Sequence, residues 1–437
     1  MSNGALSRQV VRIATCVAII LVLTVAAGGA GTFRFGVNAD NWKGEMRRPG
    51  FAKILKQLGV EFVVWHLSPE EETSERMMEI VNFCRTNNIA YLFNTELVNY
   101  VPNVPYFTNN DGTYRWDLRQ ETLEKLKDDP LFLGQVYDEA MLMQSLNGVT
   151  VGNRRIPPYF VDTASLLPDQ AFAAVVDKIS ELSARYARYG KRAVFEMVFP
   201  DYAHAAARGG ATLAPKLLKE TANDLMFAVY AGAARQYGQK ELWACVDLWF
   251  LDKFPEKGKA GPGYHTPEQL YAALCYAYAQ GFDWAYVEHL KGLADLDSGE
   301  LTDYGRKVVE FQATRTTLAR SSWQDFVPQL VVKRFPDGYW GQKYSTFIPD
   351  HPYGVSQTTP TLTEADGRWL TLLSTETKGK LPQDANNWNA VLCPYFQKTP
   401  YFLLAGLPSM LVVDQTFARI SDFPQARFVD LTRSTQE

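Results

Sequence analysis

Seven short apolar runs in this sequence end in a polar residue. In chain order those residues are Asn38, His66, Asn94, Glu139, Glu196, Asp247 and Glu288. Four are carboxylic acids, and carboxyl groups that share one pocket can divide acid and base roles between them. Glycoside hydrolysis needs that division. One carboxyl group must protonate the leaving oxygen while another, across the sugar ring, attacks or activates water. Aromatic residues at or beside the same run ends (Trp42, Trp65, Tyr100, Trp249 and Phe250) offer flat faces suited to the C–H faces of pyranose rings.

These residues need elements that bring them together. The apolar runs are Phe33–Asn38, Phe62–His66, Ala90–Asn94, Phe132–Glu139, Arg192–Glu196, Trp243–Asp247 and Trp284–Glu288. They read as strands. Between them lie amphipathic stretches of helical period, such as SERMMEIVNFCRTNN and DQAFAAVVDKISELSARYARYG, and the long LAPKLLKETANDLMFAVYAGAARQYG. Another, TPEQLYAALCYAYAQG, starts with Thr266, Pro267 and Gln269, the pattern of a capping box. PQLVVKRF, from Pro328, is a candidate eighth strand. Alternating strands and helices in such number predict a closed (β/α)8 barrel, which carries its chemistry at the C-terminal ends of the strands.

Side chains two apart on a strand share a face. Counting back from Glu288 gives Tyr286 and Trp284, and from Asp247 gives Cys245 and Trp243. From Glu139 the same face carries Tyr137, Gln135 and Leu133. The opposite face is apolar each time except at Asp138. The acids are thus expected to converge on the barrel mouth. Expected substrate contacts are Asn38, Trp42, His66, Asn94, Tyr137, Asp138, Glu196, Asp247, Trp249 and Tyr286.

The chain resembles the glycoside hydrolases built on TIM barrels, especially the large clan of retaining enzymes. That clan sets its acid/base Glu at the end of the fourth strand and its nucleophilic Glu at the end of the seventh. Here GQVYDEA and WAYVEHL occupy those places. The resemblance, over roughly residues 33–320, implies Glu139 as acid/base, Glu288 as nucleophile and a retaining reaction. LTDYGRKVVEF is similar to the helix that follows such barrels. The clan usually has Asn before its acid/base Glu, and this chain has Asp138. An Asp-Glu pair there is similar to the substrate-assisted hexosaminidases, in which the substrate's acetamido group is the nucleophile.

Other classes find less support. No G-x-G-x-x-G or P-loop follows a strand, and H-E-x-x-H and G-x-S-x-G do not occur. No cofactor and no metal are expected. A net charge of −4 without a Lys/Arg run disfavours nucleic acid as a partner. Two alternatives remain: a non-catalytic glycan-binding or envelope-assembly protein on the same barrel, and a metal-dependent lyase or isomerase using Asp247, Glu196 and His66.

The chain of 437 residues divides into three parts. Residues 1–31 hold Arg8 and Arg12 before an apolar run from Ile13 to Ala30. This reads as a signal peptide or membrane anchor, so export is expected: periplasmic, secreted, or anchored facing outward. Residues 32–334 form the expected catalytic barrel. Residues 335–437, with the helical TEADGRWLTLLSTETKG and the apolar YFLLAG and SMLVVD, form a small α/β extension. Four cysteines follow the N-terminal segment, at positions 84, 245, 275 and 393, and read as buried thiols.

Overall fold

The computed structural model describes residues 32–433 apart from 69–70, 72–74, 96–116, 141–149, 152–153, 156–160, 162–165, 199, 219–221, 249–264, 337–359 and 380–403. Eight parallel strands close into a barrel. They are β1 (Arg34–Asp40), β2 (Phe62–His66), β3 (Ala90–Asn94), β4 (Phe132–Asp138), β5 (Arg192–Met197), β6 (Thr212–Leu217), β7 (Trp243–Val246) and β8 (Trp284–Val287). Each pairs with its neighbours in chain order, and β1 closes on β8 through Arg34 to Val37 opposite Trp284 to Val287. A helix follows each strand: α1 (Phe51–Leu58), α2 (Glu75–Asn87), α3 (Gln120–Leu126), α4 (Pro168–Ala187), α5 (Ala203–Arg208), α6 (Asn223–Gln236), α7 (Pro267–Ala279) and α8 (Asp303–Thr314). The expected (β/α)8 fold is present.

One strand is not where the sequence suggested. Thr212–Leu217 opens the stretch read as a long helix, yet it is β6. Pro215 is incompatible with a helix interior, because it lacks the N–H and clashes with the preceding turn. PQLVVKRF instead supplies β9 (Leu330–Lys333), outside the barrel. It is the central strand of a parallel three-stranded sheet with β10 (Met410–Val413) and β11 (Arg427–Asp430). With α9 (Pro360–Glu376), this sheet is the C-terminal extension.

Two hydrophobic layers hold the barrel. Inside, Phe62, Val64, Leu92, Trp243 and Trp284 are among the side chains that fill its centre. Trp243 and Trp284 stack at 4.5 Å, and the Arg34 guanidinium lies 4.7 Å from the Trp284 ring centroid. Outside, strand residues such as Phe35, Val37, Trp65 and Phe93 pack in the layer shared with the helices. Trp65 lies there against Phe51 and Phe83. Cys84, Cys245 and Cys275 are buried thiols, as expected. Thr266 and Gln269 close the predicted capping box at the start of α7.

The extension is seated on α6. A Cβ on Gly232 would lie 1.9 Å from the Val412 carbonyl oxygen of β10, so only glycine permits this approach. Asp224, in the first turn of α6, accepts the backbone N–H groups of Ala405, Gly406 and Leu407 at 2.8–2.9 Å. Gly232→Ala is expected to lower unfolding stability by about 1–3 kcal/mol through this overpacking. A urea midpoint equal to that of the wild type would contradict the close packing.

Candidate active site

Period-two alternation carries polar side chains into the mouth at the C-terminal end of nearly every strand. Asn38, Asp40, His66, Asn94, Asp138, Glu196, Asp247 and Glu288 are all buried there. Backbone strain gathers at the same place. Among the described residues five that are not glycine have positive φ, and three follow barrel strands: Glu139 at 49°, Leu218 at 62° and His289 at 68°. Such conformations persist where the surrounding structure holds them, often at functional sites.

Lys216 stands at the centre. It points inward from β6 and is wholly buried. Its ammonium nitrogen lies 3.1 Å from Asp138, 3.1 Å from Glu139, 3.0 Å from Glu196, 3.4 Å from Asp247 and 3.0 Å from Glu288. Four strands thus present five carboxyl groups to one cation. Glu139 and Glu288 both bond this nitrogen, so their bonded oxygens lie within about 6 Å of each other, close enough for a catalytic pair.

The charges differ in standing. Burial opposes ionisation of Asp138, but Lys216 and His66 outweigh it and hold this carboxyl well below its ordinary value. Asn94 donates to Asp138 at 2.9 Å, and His66 Nε2 lies 3.5 Å away. Burial and the Asp138 charge push Glu196 up to about 7. Burial and the Asp247 charge push Glu288 well above its ordinary value. Lys216 would lose its proton to burial, but the facing carboxylates, Asp138 first, keep it charged.

A second layer orients the first. His66 Nδ1 lies 2.9 Å from Asp40, which also accepts from Lys43 at 2.8 Å. Asn38 donates to the Val64 carbonyl at 3.3 Å. Tyr286 reaches the interior as expected, and its hydroxyl donates to Glu196. Glu288 is flanked by Cys245 Sγ at 3.6 Å and His289 Nε2 at 3.5 Å.

Two readings of β4 need correction. Tyr137 faces the helices, donating to Asp117 at 2.9 Å and packing on Phe195. Asp138, assigned by alternation to the helix side, points into the mouth. A bulge explains both. The register with β3 shifts between Tyr91 and Leu92, and Gly134 takes φ 139°. Leu133 and Val136 then both face inward, and every later residue changes face. Glu139 still reaches the mouth because its left-handed backbone turns it back.

The strand count changes as well. With β6 included, Glu139 still follows the fourth strand. Asp247 follows the seventh and Glu288 the eighth. The expected seventh-strand position therefore belongs to Asp247. Trp249, and the side chain of Trp42, lie outside the described residues, as does the segment 1–31. Among the described residues no helix is long and apolar enough to cross a membrane.

Among the described residues three groups have metal-ligand spacing: His66, Asp138 and Glu288; Glu196, Cys245 and Glu288; Asp247, Glu288 and His289. Their ligand atoms lie within 4.8 Å of one another in each group. Lys216 already supplies a cation to the same carboxylates, and its charge opposes entry of a second one.

The fold has structural relatives. Two are structures of the catalytic module of a family 98 glycoside hydrolase from Streptococcus pneumoniae TIGR4. One is in complex with the LewisY pentasaccharide blood group antigen, at 11% identity and a TM-score of 0.50. The other is in complex with the H-disaccharide blood group antigen, at 10% identity and a TM-score of 0.51. Each likeness covers 93% of this chain and 66% of the other, just under two thirds of its length. At this identity the likeness establishes a shared barrel fold. No protein-family model matches the chain, and no curated protein matches it.

Proposed function

We propose that the protein is a glycoside hydrolase acting on a carbohydrate outside the cytoplasm. The observation that carries this reading is the set of buried carboxyl groups around Lys216, with raised and depressed acidities side by side at a barrel mouth. The fold shared with glycan-bound glycoside hydrolase modules supports it. In this reading Glu139, beyond the end of β4, protonates the leaving oxygen. Glu288 serves the opposite, anomeric side. Asn94, His66 and Asp138 form the polar wall between them.

The stereochemical course turns on the part Glu288 plays. Direct attack with retention rested on counting Glu288 as the seventh strand end, a position that Asp247 occupies. A carboxylate of raised pKa is a stronger base and a poorer leaving group. Asp247, with a ligand atom within 4.8 Å of Glu288, adds to that basicity. The pair therefore suits activation of a water molecule, whereas a Glu139–Glu288 separation of about 6 Å or less falls nearer the retaining range, and the configuration of the product decides between the two courses. Incubation with a glycan panel should show hydrolysis, and proton NMR of the first-formed anomer reads the course, an inverted anomer marking Glu288 as the base that activates water. A retained anomer would return Glu288 to the nucleophile's role. No turnover on any glycan, together with tight binding, would favour the non-catalytic alternative.

Export remains part of the proposal, on the strength of Arg8, Arg12 and the apolar run after them. Expression of the full chain should deliver the protein to the periplasm, the medium or an outward-facing membrane fraction. A wholly cytosolic product would contradict it.

A further inference from the structure

We propose that Lys216 is a positioning residue whose fixed charge sets the protonation state of the acidic cluster, and with it the pH range over which the site works. The inference deepens the hydrolase reading and rests on it only for the activity readout. Its basis is geometric. One wholly buried ammonium group lies 3.0–3.4 Å from five carboxyl groups on four strands. An ammonium group has three N–H donors, so it cannot satisfy five acceptors at once. It acts on the cluster as a charge shared among them, beyond any single hydrogen bond.

Among the described residues the other groups facing the cluster carry less charge to it. From β2, His66 reaches Asp138, but its other nitrogen is engaged by Asp40 of β1. From β3, Asn94 contributes a neutral donor. From β7 and β8, Cys245 and Tyr286 are weak acids whose burial pushes them well above their ordinary values. His289 Nε2 lies 3.5 Å from Glu288. Among the described residues Lys216 is the one Lys or Arg whose nitrogen pairs with any of the five.

Removing its charge has a definite sign. Lys216 pulls down the pKa values of Asp138, Glu196 and Glu288. An opposite charge at this range lowers a carboxyl pKa by about 1–3 units. Without it, the folded protein holds extra protons that the unfolded chain releases. A carboxyl group raised above its unfolded value stabilises the fold less as pH climbs through that window. Toward acid pH Glu196 and Glu288 are protonated in the folded state and Asp138 stays ionised, so loss of the cation costs least there.

The test compares wild type, Lys216→Met and Lys216→Arg by thermal unfolding from about pH 4 to about pH 8 at fixed ionic strength. The Met variant's deficit should be smallest at the acid end and widen by about 5 °C or more toward the neutral end. The Arg variant keeps the charge, so its difference from wild type should not vary with pH. If Lys216→Met fails to fold near neutrality, the double variant Lys216→Met/Glu288→Gln should recover stability there. A pH-independent deficit in the Met variant, or no recovery in the double variant, overturns the proposal. On any glycan the wild type hydrolyses, Lys216→Met should shift the acid limb of the kcat/KM profile upward by about 1–3 units. An unshifted limb overturns the link to activity. The stability readout needs no substrate. A pH-dependent deficit without turnover of any glycan would therefore refute the hydrolase and leave the charge role of Lys216 standing.

Discussion

Glu139→Gln is expected to lower kcat/KM on a natural glycan by about 10²–10⁴-fold, the usual contribution of a positioned proton donor. Stability should hold. A proton donor is neutral at rest, so the substitution keeps the charge and the volume of the cluster, and the amide oxygen can still accept from Lys216. The leaving group gives the sharper measurement. Glycosides with an acidic aryl leaving group depart without protonation, so Glu139→Gln should retain most of its activity on them. Glu288→Gln should lose activity on both substrate types, because its role lies on the anomeric side. The anomer first released by the wild type separates the two courses open to Glu288. If Glu288 activates water, one displacement gives an inverted product. A retained product, from two displacements, would identify a nucleophile. If Glu139→Gln lost aryl glycosides as severely as glycans, the proton-donor assignment would fall.

The period-two pattern made much of this site legible. Asn38, His66, Asn94, Glu196, Asp247 and Glu288 all follow the parity of apolar strands and all face the mouth. An apolar strand face admits little else, so alternation locates them without further information. Lys216 escaped because its strand lacks a clean alternation. LAPKLL joins smoothly to the helical pattern after it, and a lysine in such a run reads as solvent-facing. Its burial depends on charges contributed by four other strands, which no local window contains. Pro215 was the available signal. Tyr286 was correctly turned inward, but its partner is Glu196 on β5. The sequence specifies which face a side chain takes and leaves its cross-barrel partner to the closure of the sheet.

Gly134→Ala is expected to be severely damaging, costing more than about 4 kcal/mol. Two effects add. The φ of 139° is a conformation that side-chain-bearing residues rarely adopt. A Cβ there would also lie 2.0 Å from the Arg192 carbonyl oxygen on the neighbouring strand, where backbone cannot give way as a flexible side chain would. The site bears the consequence. Gly134 absorbs the extra residue that turns Asp138 inward toward Lys216, Asn94 and His66, and Tyr137 outward toward Asp117. Relaxing the bulge would reverse both. It would bury the Asp138 carboxylate against the helices without its cation and move a tyrosine into the mouth. Urea unfolding followed by tryptophan fluorescence reads the loss directly. A Gly134→Ala protein with wild-type midpoint would mean that β4 carries no bulge, and Asp138 would then return to the outer face that simple alternation assigns it.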